Sequence, residues 1–405
     1  MKRFHNRLFR RLLLTCTYAL GAFLIVASGG SGSGSTDDSC RLVVSAIAPV
    51  AGSDDIWVGV LSELPTGEFN SVVRLKRDGS EAFPPVPLAR GFENVIRTIA
   101  AAEGVSGGVY VGGDFSEGIF RLDEAGSPDN LFDVGSGFNG PVSTIVPAAD
   151  GSGDIYVGGF FSEYDGVIVG GLVRLNVDGS RDTGFIAITQ AIQAVAMAGP
   201  PYLGSVYSGG YVTPRLVRWS STAVSDSSFK PSPAIGPVFS IAPALGGSSS
   251  VYVGGSFDGG LYRLSNLGAT DGDFSSFNNS VRKIVHTADF TGDIYAIGEF
   301  TTYQGSAARG LARLNDDGSP EANFFTGTGF SNSDGLVPFG EFASSALATD
   351  ASGDIYVGGD FTDYDGTTAD GLVRLKNNGL LDPDFKARIS SETGVCTGGT
   401  FVKTL

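Results

Sequence analysis

Seven times along the 405 residues an aromatic residue is followed by an arginine and then by a phenylalanine. The aromatic positions are Trp57, Tyr110, Tyr156, Tyr207, Tyr252, Tyr295 and Tyr356. The arginines are Arg74, Arg121, Arg174, Arg218, Arg263, Arg313 and Arg374, and the phenylalanines Phe83, Phe132, Phe185, Phe229, Phe274, Phe324 and Phe385. Arginine and phenylalanine stand 11 residues apart in six repeats and 9 in the first, the constancy of a rigid supersecondary unit. A repeat of about 50 residues points to propellers, solenoids or arrays, whose units bury their apolar faces against their neighbours.

Strand signals are plain inside each unit. Val142 to Ala148, Asp154 to Phe161 and Gly171 to Val177 are short runs of β-branched and aromatic residues between turn residues, and Gly184 to Ile188 offers a fourth. Asp78-Gly79, Asp178-Gly179 and Asp317-Gly318 follow the arginine strand, where a tight reversal needs positive φ. No later segment sustains a helical period. The 60 glycines supply turns, and 42% apolar residues suffice for a core. The expected fold is all-β, a seven-bladed β-propeller with three to four antiparallel strands per blade. A β-solenoid would need shorter rungs and capped ends.

The run Gly153 to Gly159, then Tyr164-Asp165-Gly166, Gly171 to Asn176, Asp178-Gly179-Ser180 and Phe185, resembles the delta-60 repeat. The resemblance covers about residues 42–390. It is strong in repeats three and seven, good in six, and eroded in one, two, four and five. It implies a β-propeller domain of unknown function from bacterial secreted and surface proteins, with a periplasmic, cell-surface or extracellular setting and no chemistry to carry over.

The beginning of the chain reads as a targeting segment. Lys2, Arg3, Arg7, Arg10 and Arg11 precede an apolar run from Leu12 to Ala27, and Val26-Ala27-Ser28 offers small residues for cleavage. Sixteen apolar residues are short for a membrane anchor. Cys16 after Thr15 is a poor lipobox, and Arg10-Arg11 is weak evidence for a twin-arginine route. Residues 1–28 are therefore expected to be a signal peptide, 29–39 a Gly/Ser linker, and 40–405 one propeller domain with no membrane span. Losing five bases makes the net charge five units more negative than the −16 of the whole chain, which disfavours nucleic acid.

Cleavage also leaves two cysteines, Cys40 and Cys396, as a candidate disulfide across the ends of an exported domain. Gly394 to Phe401 mimics an anchor strand but arrives too soon for an eighth blade. A closing strand at 394–403 on blade one is expected, since an open edge invites aggregation.

Four constellations bear on chemistry. An acid stands eight residues after most arginines, at Asp129, Asp182, Asp226, Asp271, Glu321 and Asp382, so the arginine ring reads as structural pairing. The turns Asp150–Ser152–Asp154, Asp289–Thr291–Asp293 and Asp350–Ser352–Asp354 alternate oxygens as calcium loops do, without the acid that closes such a loop, and also suit simple turn capping. No cofactor is required, and calcium is the one metal these turns suggest. After the leader only His286 remains as a histidine, which excludes three-His zinc sites and leaves a catalytic triad dependent on that residue.

Finally, the anchor-to-arginine distance is 17 or 18 residues in repeats one, three, six and seven, but 11 in two, four and five. The extra residues include Tyr164, Asp165, Tyr303, Tyr364 and Asp365, a candidate raised rim for ligand contact with a low side at repeats four and five.

These features describe an exported, monomeric, non-catalytic binding or adhesion module that contacts carbohydrate or a surface protein through one rim. The alternatives are a polysaccharide hydrolase or lyase using paired carboxylates, and a purely structural envelope component.

Overall fold

Directly across the antiparallel ladder from each anchor aromatic stands the arginine of the same repeat: Trp57 opposite Arg74, Tyr110 opposite Arg121, Tyr156 opposite Arg174, and so on to Tyr356 opposite Arg374. The register is the same whether the two stand 11, 17 or 18 residues apart, because the extra residues lie beyond the ladder positions that the repeats share. The repeat's phenylalanine then packs on the anchor ring, with centroids 5.2 Å apart for Tyr156–Phe185 and 5.5 Å for both Trp57–Phe83 and Tyr356–Phe385. The recurring triad is thus one packed cluster, formed once per repeat.

The computed structural model describes residues 41–403 apart from 65–66, 84–85, 88–94, 104–106, 186–190, 233–234, 246–248, 290, 333–344, 351, 392–393 and 398–399. The expected leader, the linker and Cys40 lie outside these residues. Among the described residues all regular structure is β, in small antiparallel sheets. Each repeat contributes an inner strand, an anchor strand and an arginine strand. In repeat three these are Val142–Pro147, Ile155–Gly159 and Leu172–Leu175. The possible fourth strand shrinks to a bridge, such as Leu175 to Arg181, after which Asp182 turns the chain away.

Inner strands adjoin in chain order: Arg41–Pro49, Ile96–Ala101, Val142–Pro147, Ala194–Met197, Val238–Pro243, Val281–His286 and Ser345–Thr349, the last lying back against the first. Contact between neighbours is close enough to demand glycine. A Cβ on Gly158 would come within 2.8 Å of Ile192 in the next repeat, and one on Gly358 within 2.3 Å of Val44. Part of the glycine excess is therefore a packing requirement.

The C-terminal segment differs from expectation. Residues 394–403 do not add one strand to the sheet of repeat one. They form two strands, Gly394–Thr397 and Thr400–Lys403, which pair with each other and with Ile389–Ser391 in a separate sheet. Thr397 pairs with Thr400 across the turn of this hairpin.

Candidate functional site

The ring arginines are spent on the frame. Arg121 donates to Asp129 at 2.8 Å and Arg218 to Asp226 at 2.6 Å, while Arg263 lies 3.2 Å from Asp271. Arg174 and Arg374 also lie within 3.5 Å of Asp182 and Asp382. Repeat six departs from this pattern. Glu321 accepts from the Asn323 backbone N–H, and Arg313 turns instead to Asp293 and Asp289. Repeat one has no acid at the eighth place, and Arg74 uses Asp55.

Six of the arginines also donate to a backbone carbonyl in the turn of the following repeat: Arg74 to Glu124, Arg121 to Val177, Arg218 to Asn266, Arg263 to Asp316, Arg313 to Asn377, and Arg374 to Arg77. One guanidinium therefore holds its own strand pair and the neighbouring repeat together.

The same geometry accounts for the turns read as calcium loops. Asp150 accepts from the Ser152 hydroxyl and N–H and from Arg174, and Asp154 accepts from Arg174. The Ser152 bonds, followed by Arg174, bring the Asp150 carboxyl down to about 2. Asp350 and Asp354 face Arg374, as Asp289 and Asp293 face Arg313. A divalent cation would have to displace a guanidinium at each turn. Among the described residues no cluster of three or more His, Cys, Asp or Glu is arranged to hold a metal. The donor set does not fit calcium.

The tyrosines expected on the rim lie in the core. Tyr164, Tyr303 and Tyr364 are 2%, 1% and 1% exposed. Their hydroxyls donate to the carbonyls of Gly179, Gly318 and Gly379, and their rings pack on Phe138, Phe277 and Phe330 of the preceding connection. Tyr-Asp-Gly is a hairpin corner. Glu163–Tyr164 pairs with Val167–Ile168, and Asp165 and Gly166 both have positive φ, as a two-residue reversal requires. Asp165 and Asp365 accept the backbone N–H groups of Ser136 and Thr328, tying each hairpin to the previous repeat. In repeat one the extra residues instead lengthen two strands, Ile56–Leu64 and Gly67–Leu75.

His286 lies on an inner strand with its Nε2 2.6 Å from the Pro243 carbonyl and its ring against Tyr252. Burial lowers its pKa. Among the described residues no carboxylate or hydroxyl hydrogen-bonds its ring to prepare it for a triad.

The positions at which the repeats differ gather at the end of the sheets opposite the arginine turns. There each inner strand approaches the residue after the anchor strand's second glycine. The register shifts at Ser45, Arg97, Ser143, Phe239 and Arg282, so that these side chains are re-aimed. The residues after the glycines are Asp114, Phe160, Tyr211, Ser256, Glu299 and Asp360. In repeats two and six the two positions make ion pairs, Arg97 with Asp114 and Arg282 with Glu299.

Between those pairs runs an aromatic arc across three repeats. Phe160 and Tyr211 have centroids 6.2 Å apart, Tyr211 and Phe239 5.7 Å, and the Arg282 guanidinium covers Phe239 at 4.1 Å. Tyr211 is 36% and Val212 49% exposed, because repeat four lacks the extra hairpin. Arg215 closes the short loop, donating to the Tyr211 and Ile235 carbonyls. The arc lies on the low side expected at repeats four and five, away from the supposed tyrosine wall. Its signal in the sequence was disagreement between repeats at one frame position, which a search for conserved spacing passes over.

A second depression, about 570 Å³, lies over Arg74 and Phe83 beside Asp55, Asp123 and Glu124. It follows from the shortened outer segment of repeat one, and Arg74 within it is already paired.

Residues 151–185, 291–324 and 351–385 match the family model described as a domain of unknown function (DUF5122) β-propeller. These three segments are thus similar to β-propeller repeats whose function is unknown. No curated protein matches it. Similar solved structures include a chain of a mitotic checkpoint complex, with 16% identity and TM-score 0.47 over 62% of this chain and 71% of that one. Sqt1 of Chaetomium thermophilum gives 15% and 0.46 over 78% and 79%. A protein of unknown function from Bacteroides caccae gives 13% and 0.40 over 69% and 91%. Among the described residues no helix is long and apolar enough to cross a membrane.

Proposed function

We propose that the protein is an exported, non-catalytic, seven-bladed β-propeller of the delta-60 type that binds carbohydrate or a surface protein through one face. The seven-bladed reading is supported by the circuit of inner strands, whose seventh member lies against the first. The binding reading rests on one observation: the repeated polar side chains are committed to the frame, whereas the positions at which repeats differ collect at one end as a half-exposed aromatic arc. Aromatic side chains offer large contact area at low entropic cost, and loops on a rigid scaffold are common binding elements. Catalysis finds less support, since Asp350, Asp354 and Asp382 are buried on Arg374 rather than paired across a cavity.

The test is retention. Immobilised protein is incubated with envelope fractions and a panel of polysaccharides, and bound and unbound material is sized. A retained polymer or protein of unchanged length is the expected result. Shortened fragments would replace binding with hydrolysis or lysis, and no retention at all would remove the binding reading. Sequencing the N-terminus of protein recovered outside the cytoplasm tests export, with cleavage expected near Ser28.

A further inference from the structure

The seven ring arginines, Arg97 and Arg282 each face a carboxylate. Arg215 faces none among the described residues. Two of its guanidinium nitrogens donate to the carbonyls of Tyr211 and Ile235, Nε at 3.3 Å and a terminal nitrogen at 3.2 Å. A guanidinium carries five N–H donors, so the remaining side of this one is uncommitted beside the most exposed ring of the arc. At the other end Glu299 already neutralises Arg282. The surface thus combines three aromatic rings with one unmatched, planar, positive donor.

We propose that Phe160, Tyr211 and Phe239 form the platform, and Arg215 the charge-recognition group, of a binding site for an oligosaccharide that carries carboxylates. This inference rests on the binding reading above and names its ligand class.

Sugar rings present flat C–H faces to aromatic rings, and the stepped arrangement offers successive platforms at 6.2 and 5.7 Å. The uncommitted side of Arg215 matches a carboxylate, which guanidinium binds through paired hydrogen bonds. The net charge of −16 opposes densely charged polyanions at long range. That opposition is screened beyond about 8 Å at physiological salt, which leaves the short-range pairing at Arg215 to decide binding.

Calorimetric titration of the whole protein with an oligogalacturonate, and with the same oligomer methyl-esterified, separates ring stacking from charge. The acid is expected to bind, and the ester to bind about tenfold more weakly, a difference of about 1.4 kcal/mol. Tyr211→Ala should weaken both about tenfold. Arg215→Gln should lower the acid to the level of the ester, leave the ester unchanged and flatten the salt dependence. Tyr211 is exposed and Arg215 half-buried, and unchanged thermal melting of each variant verifies folding. The wild-type comparison of acid with ester needs no variant. Equal binding of acid and ester, or variants that bind like wild type, would overturn the proposal. If neither oligomer binds while an envelope protein is retained, the ligand class is wrong and the binding reading stands. Shortened oligomers would overturn the non-catalytic reading instead.

Discussion

Arg374 sits among three carboxylates, Asp350, Asp354 and Asp382, whose side chains are almost as enclosed as its own. Breaking a buried ion pair by removing one partner costs about 3–5 kcal/mol, because the other charge stays buried. Arg374→Ala should therefore lower the urea midpoint sharply, while changing an exposed base such as Arg77 should shift it little. His286 gives a pH signature. Burial holds its pKa below 6.5, so as pH falls the unfolded chain takes up the proton first. Its contribution is whole above about pH 6.5 and diminishes between there and the lowered folded value. His286→Gln should flatten the fall of the urea midpoint between about pH 7.5 and 5.5, and an unchanged slope would contradict this. At this scale the sequence was informative where a residue type recurs, as with arginine and its acid. It was silent on Arg215, which occurs in one repeat and owes its position to neighbours far along the chain.

The hairpins of repeats three, six and seven are small elements with a large consequence: each clips its repeat to the preceding one. The hydroxyl of Tyr364 donates to Gly379 at 2.5 Å, in a site where water cannot replace it. Tyr364→Phe should cost about 1 kcal/mol by leaving that carbonyl unpaired, measured from urea unfolding, and no loss would contradict a role for this bond in fixing the hairpin to its own repeat. Strand positions were legible, since Val142 to Ala148 became Val142–Pro147 and Asp154 to Phe161 became Ile155–Gly159. The hairpins were misread. A tyrosine beside an Asp-Gly corner looks exposed in a linear pattern, yet it lies at the one strand position aimed inward.

Across the whole molecule the arc depends on order between repeats, since its rings come from three different ones. The frame was predictable from periodicity, whereas the arc needed the neighbour relations that only folding supplies. Those relations are tightest where the last repeat meets the first. Gly358→Val should force Val44 aside and lower stability, with amide exchange rising first in repeats one and seven.

The contact from Arg374 to the Arg77 carbonyl joins residues 297 apart in the chain, while that from Arg121 to Val177 joins residues 56 apart. All but one of these seams can form as soon as two neighbouring repeats exist. The remaining one waits for the full length and carries the largest single loop-closure cost, about 1.5 kcal/mol above that of a neighbouring seam. A circular permutant opened between repeats three and four, where Arg174 makes no such contact among the described residues, would make that distant seam local while keeping the native neighbours. It should refold faster at similar stability in stopped-flow measurements. Which repeat counts as the first would then affect the route of folding and leave its destination unchanged.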